Sequence, residues 1–282
     1  MRLARFSSGT NTGWGFVDQE DSTYVRPASS NSPSLVEALG LGPVLLAELY
    51  ALAGGRIPIA EVTLHAPVDK PSKVICIGLN YADHARESGM AIPERPLVFC
   101  KFPSSIVGPY DDVELPPESM KVDWEAELVV VMGSNALRVT AEQSVSHIGG
   151  FMVANDVSAR DVQAADGQFV RAKSFTSFCP LGPWVTTPDE VEDYSNLSVQ
   201  LRVNGALMQN GNTSDLIANV SEIVSFCSHI SMLEAGDIIL TGTPAGVGAG
   251  MNPQQFLQEG DLMETTISGL GALRNKIVSV AR

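Results

Sequence analysis

Three acids at alternate positions, Asp123, Glu125 and Glu127, lie in the run 121–131. That run is rich in Val, carries Trp124 and is closed by Gly133, which is strand composition. Strand side chains alternate between faces, so the three acids share one face, while Trp124, Ala126 and Leu128 share the other. Beyond Glu127 the run is apolar at every position, as in a strand buried on both sides. Carboxylates about 7 Å apart on such an element repel each other, and desolvation raises their pKa values. A dication relieves both costs, and hard carboxylate oxygens suit Mg²⁺, Mn²⁺ or Ca²⁺. The plainer alternative is an acidic strand face in water.

Other residues invite the same double reading. His84 and Glu87 stand at i and i+3 of a short helical stretch, 80–89. A carboxylate beside an imidazole orients it and raises its basicity, although a surface polar pair has the same spacing. Asp156 ends the strand-like 151–154 and is placed either to complete a metal site or to make a turn. Arg160 and Gln163 share a helix face, as ligand-holding groups or with Arg160 in a surface ion pair. Lys173, in a mostly apolar surround, either meets an anionic intermediate or snorkels to water. The stretch 241–248 is rich in Gly, so its amides can approach a ligand closely. It lacks the P-loop lysine and no dinucleotide fingerprint exists, which sets nucleotide binding aside.

These residues need elements to carry them. Short strands are predicted at 2–6, 14–17 and 24–25, then two short helices at 32–40 and 43–53. Pro58, Pro67 and Pro71 mark a linker. The domain boundary is therefore placed near 66–70, giving a small N-terminal domain, 1–68, and a larger one, 69–282. Strands follow at 73–79 and 96–102. A helix capped by Thr140 and Gln143 ends at Gly149-Gly150. A strand at 197–203 turns at Asn204-Gly205, and an amphipathic helix at 214–229 starts on Ser214. Strands at 238–240, 262–268 and 273–280 complete the chain.

Composition narrows the field. The 282 residues are 44% hydrophobic and 18% charged, an ordinary globular balance. With 32 acids against 18 bases, the formal charge of -14 argues against nucleic acid and anionic membrane surfaces as partners. No run approaches the ~20 apolar residues of a membrane span. The four cysteines form no C-x-x-C pair, so zinc is disfavoured and a reducing cytosol suits them. Residues 2–6 lead in without an apolar h-region, so no signal peptide is expected and the location reads as cytoplasmic.

Six segments, in order, resemble the fumarylacetoacetate hydrolase family. They are 77–84, 123–128, 155–163, Lys173-Ser174-Phe175, 180–183 and 241–248. The resemblance implies a mainly β fold with flanking helices (α+β), a mixed β-roll behind a small N-terminal α/β domain, and a homodimer. It implies Mg²⁺ or Mn²⁺, or Ca²⁺ as bound in a crystal, on Glu125, Glu127 and Asp156. His84 and Glu87 match the family's water-activating pair, and Lys173 the lysine near the developing enolate. Arg160, Gln163 and Thr243 match groups that hold substrate oxygens. One position departs: Thr176 stands where the family often has Asp, removing a carboxylate expected beside Lys173.

The activity so implied is metal-dependent C–C hydrolysis of a small 2,4-diketo acid or acylpyruvate through a pyruvate enolate. The alternative is an oxaloacetate decarboxylase or a 2-hydroxy-diene-dioate isomerase or tautomerase using the same site. A non-catalytic metal or small-acid binder would need the acids but not His84, Glu87 and Lys173.

Overall fold

The computed structural model describes residues 1–18 and 22–280. Its centre is a block of strands in which every residue of Ala126–Met132 and Ile148–Asn155 is buried. Their β-branched side chains suit a pleated surface packed on both sides. Leu128 and Val130 pack one way, with Val199, Leu201, Met263 and Leu273. Val129 and Val131 pack the other way, with Leu35, Leu39, Val74 and Cys76.

These strands belong to a twelve-stranded mixed sheet. Across its middle the order is Arg2–Ser8, Cys179–Thr186, Ile148–Asn155, Ala126–Met132, Ile238–Leu240, Val74–Gly78, Leu97–Lys101. Neighbours there run antiparallel, except that Ile238–Leu240 lies parallel to Val74–Gly78. A second, five-stranded sheet is ordered Ala206–Asn212, Ser198–Val203, Leu262–Ile267, Gly271–Ser279, Val113–Leu115. Helices flank the sheets, so the fold is mainly β with several helices, and no sheet among the described residues closes into a barrel. Residues 66–73, where the boundary is expected, join Thr63–His65 to Val74–Gly78. Arg2–Ser8 enters the large sheet through Leu3 opposite Val185, and Leu3 and Phe16 share the core with Val129.

Three expectations need correction. The helix predicted at 214–229 is Val220–Ile230, capped by Asn219 with Glu222, and Ser214 lies in the turn Thr213–Asp215. The intervening chain is a bend pinned by Asn80. Ile217 N donates to Asn80 O and Ala218 N to Asn80 Oδ1, each at 2.8 Å. The helix capped by Thr140 is only Ala141–Ser144, followed by the turn Val145–His147. Gly149 and Gly150 lie in a strand. Gly150 is needed because a Cβ there would come within 2.5 Å of Thr186 O. The strand at 121–131 is interrupted at Trp124 and Glu125.

That interruption does not shift the register. Val122 and Asp123 pair with Ala159 and Ser158, and Ala126 pairs with Asn155. Glu125 therefore lies opposite Asp156, and Asp156 N donates to Glu125 O at 2.8 Å. Ala126 N, between the two glutamates, donates instead to Gln209 Oε1 at 2.9 Å. Gln209 Nε2 donates to Thr243 Oγ1 and Pro244 O, both at 2.8 Å. Gln209→Leu strands a buried N–H and a buried carbonyl, at about 1–3 kcal/mol each. Urea unfolding should show a lower midpoint with an unchanged slope. A midpoint equal to the parent's would show that the latch carries no stability.

Candidate active site

The register builds the acidic cluster. Opposed positions on paired strands bring Glu125 and Asp156 together, and Glu127, two residues on, shares the face of Glu125. Ligand oxygens of Glu125, Glu127 and Asp156 lie within 4.8 Å of one another, and all three residues are buried.

Cations sit among them. Lys173 Nζ donates to Glu125 Oε2 at 2.7 Å, Asp156 Oδ2 at 2.6 Å and Ser158 Oγ at 2.8 Å. It also stands 5.1 Å from the Phe99 ring centre. Lys101 Nζ donates to the other Asp156 oxygen at 2.6 Å. Arg160 spans two acids, Nε to Asp123 Oδ2 at 2.7 Å and Nη2 to Glu125 Oε1 at 2.6 Å, with Nη1 on Gln163 Oε1 at 3.1 Å.

Four carboxylates thus meet three cations, and the imbalance falls on Glu127. Its Oε2 accepts Gly242 N at 2.7 Å, and it makes no ion pair among the described residues. Burial pushes its carboxyl well above the ordinary range, and Asp156 and Glu125 push it further. Burial works the same way on Glu125, but Lys173 and Arg160 overcome it and hold that group well below the ordinary range. Lys173 is raised: burial opposes its charge, and Asp156 and Glu125 outweigh burial. Three hard oxygens carrying one uncompensated charge are a donor set that fits a divalent cation.

One cavity of about 320 Å³ brings the remaining candidates to this cluster. Its wall includes His84, Glu87, Arg160, Gln163, Lys173 and Thr243, with Glu125 and Glu127; Asp156 lies behind it. The helix Ala82–Glu87 carries the His84–Glu87 pair, with Nδ1 3.4 Å from Glu87 Oε2. Gly246 N holds Glu87 from the far side, at 3.0 and 3.1 Å to its two oxygens. Thr243 spends its hydroxyl proton on Ala126 O at 3.0 Å and accepts Gln209 Nε2, leaving one lone pair toward the cavity. The apolar wall comprises Ile77, Leu79, Met90, Phe99, Phe169 and Val247. Lys173 does not snorkel, and Arg160 is not a surface ion pair. Thr176 is exposed, and Glu125, Asp156 and Ser158 orient Lys173, so the missing family Asp leaves that lysine held.

Sequence reasoning missed Lys101, Asp123 as the Arg160 anchor, and Gln209. Lys101 had a signal: it shares the face of Leu97 and Phe99 on an otherwise apolar strand.

Residues 73–278 match the Fumarylacetoacetate (FAA) hydrolase C-terminal family. The chain belongs to the fumarylacetoacetate hydrolase family. It is similar to the oxaloacetate tautomerase FAHD2B, mitochondrial, of Bos taurus, at 45% identity over 99% of this chain and 92% of that one. Among solved structures it resembles the 2-hydroxyhepta-2,4-diene-1,7-dioate isomerase of Mycobacterium marinum, with TM-score 0.83 and 35% identity, both chains being covered in full (100% and 100%). It also resembles the fumarylacetoacetate hydrolase of Exiguobacterium antarcticum, with TM-score 0.86 and 36% identity over 99% of each chain. The protein is accordingly an enzyme of the fumarylacetoacetate hydrolase family. Among the described residues no helix is long and apolar enough to cross a membrane.

The uncompensated charge gives a test. Because the folded carboxyl of Glu127 lies above its unfolded value, its ionisation costs metal-free protein stability as pH rises from the ordinary carboxylate range through the folded pKa. Glu127→Gln removes that cost and a candidate metal ligand together. At neutral pH the metal-free variant should melt higher than the parent, while calorimetry should show its Mn²⁺ binding lost. A variant that melts lower, or still binds Mn²⁺ as the parent does, sinks this account.

Proposed function

We propose that this enzyme interconverts the enol and keto forms of a small 2-oxo acid, with oxaloacetate the first candidate. Glu125, Glu127 and Asp156 would hold Mg²⁺ or Mn²⁺. The observation that carries the reading is the single cavity in which the His84–Glu87 pair and the acidic cluster share one wall. The tautomerase and isomerase names of similar proteins support it over the C–C hydrolysis that the resemblance first implies.

When bound, the ion supplies a Lewis acid that polarises the 2-oxo group. The chain does the rest. A carboxylate on Nδ1 favours the tautomer protonated there and leaves Nε2 to take a proton from carbon or from the enol oxygen. Glu87 then stabilises the imidazolium, and the same proton returns to the other atom. Arg160 has five N–H donors; three are spent on Asp123, Glu125 and Gln163, and two remain for a substrate carboxylate. Lys173 has all three donors placed, so it balances charge at rest and reaches an enolate oxygen only by releasing a partner.

A second reading, hydrolysis of an acylpyruvate, draws on cavity size. A water occupies ~30 Å³ of liquid, so about 320 Å³ leaves room for one beside a small acid. Decarboxylation of oxaloacetate would use the same enolate. We further propose that the enzyme works as a homodimer in the cytosol, although the similar FAHD2B is named as mitochondrial, and that 1–68 forms a small N-terminal domain.

In the Mn²⁺-loaded enzyme, His84→Ala should slow oxaloacetate enol–keto exchange by about 10²–10⁴-fold. Mn²⁺ affinity should stay unchanged. Chelation should abolish the parent's exchange, and added Mn²⁺ should restore it. Undiminished exchange in His84→Ala would remove the dyad from the reaction. Pyruvate release from acylpyruvates by a parent that leaves oxaloacetate untouched would favour hydrolysis.

A further inference from the structure

We infer that Asp123 is a positioning residue that registers the proton-moving pair against the acidic cluster; the kinetic part of its test rests on the tautomerase reading. Asp123 is fully buried and does not line the cavity, so it acts through others. Its Oδ1 accepts Trp124 N at 2.9 Å and Gly248 N at 2.7 Å. Its Oδ2 accepts Ala249 N at 3.0 Å and Arg160 Nε at 2.7 Å.

Those bonds lead two ways. Through Arg160 they reach Glu125 and Gln163. Through Gly248 and Ala249 they reach the loop that seats Glu87. Gly246 N binds both Glu87 oxygens, and a Cβ on Gly250 would lie 2.4 Å from Glu87 Cδ. Trp124 Nε1 adds a tie to Gly246 O at 3.0 Å. One carboxylate therefore grips both the residue that faces the acids and the loop that orients His84 through Glu87. Only a group that accepts at both oxygens can do this. Asn would turn an NH₂ either toward the Trp124 and Gly248 amides or toward the Ala249 amide and Arg160 Nε, donor against donor in both cases.

The test compares Mn²⁺-loaded parent, Asp123→Asn and Gly250→Ala. Asp123→Asn should raise KM for oxaloacetate and lower kcat, each by about tenfold or more, because small misplacements are costly in rate. Its Mn²⁺ dissociation constant should stay within about threefold of the parent's, because Asp123 is no ligand. Gly250→Ala, whose Cβ would press on Glu87 at the cavity wall, should lower kcat by a similar factor and leave KM within about threefold. Hydrogen exchange should show lost protection at the Gly246, Gly248 and Ala249 amides in Asp123→Asn.

Unchanged kinetics in Asp123→Asn, or lost Mn²⁺ affinity there, overturns the inference. If Asp123→Asn shows no cooperative melt, Gly250→Ala decides: unchanged kcat overturns. If the parent does not interconvert oxaloacetate, the tautomerase reading fails by itself. Amide protection then judges Asp123, and unaltered exchange at the three amides sinks the proposal.

Discussion

The antiparallel register between Ala126–Met132 and Ile148–Asn155 is the constraint on which the site depends. It places two carboxylates, Glu125 and Asp156, opposite each other just past the end of a strand pair whose faces are both covered. Removing such charges from water costs several kcal/mol each, and a buried ion pair seldom recovers that in full. Well-packed apolar side chains at these positions would serve the fold as well or better. Lys101, Arg160 and Lys173 lessen the cost without cancelling it, since four acids face three cations. Stability alone does not account for that remainder; a divalent cation on these oxygens would.

The loop 241–250 joins the two functional halves through backbone rather than side chains. Gly242 N–H serves Glu127, and Gly246 N–H serves Glu87. Gly246 has φ +104°, and a Cβ there would lie 2.1 Å from Met208 O, so any other residue would push the loop away. Rigid amides cost little side-chain entropy and keep their direction, as a group must that sets a general base. The dyad needs this support because the bond between His84 and Glu87 is long at 3.4 Å.

Much of this was legible because it follows from period and residue type. Alternation along 123–127 put the acids on one face, and the i, i+3 spacing put His84 beside Glu87. The segments resembling the family brought Asp156 and Lys173 to the same place. What escaped depends on contacts distant in sequence. Gln209 reaches Ala126 across 83 positions, and Asp123 reaches Gly248 across 125. No local pattern announces either. The helix start at Ser214 failed for a related reason, since Asn80, far back in the chain, holds residues 217 and 218 in a bend. Lys101 lay within reach of strand alternation, but a lone lysine on an apolar strand also reads as an edge residue.

The arrangement also shows why reaction type is the hardest property to read. On the proposed reading, a cation held by Glu125, Glu127 and Asp156 would, together with Lys173 and Arg160, favour negative charge growing on a 2-oxo acid, whether that charge comes from losing a proton, losing CO₂ or breaking a C–C bond. Lys173 illustrates this neutrality. With its donors shared among Glu125, Asp156 and Ser158, it would have to release a partner to meet an enolate, whatever reaction made it. Discrimination therefore belongs to the wall of Leu79, Met90, Phe99, Phe169 and Val247, which decides how much lies beyond the 2-oxo group and whether a water fits beside it. That wall is apolar and carries no partner for a second carboxylate. A distal carboxylate would turn to the polar groups elsewhere in the cavity, the two remaining Arg160 donors, Gln163 and Ser88. On the tautomerase reading, a short acid held there would keep the carbon that exchanges its proton nearer to His84 than a long one would.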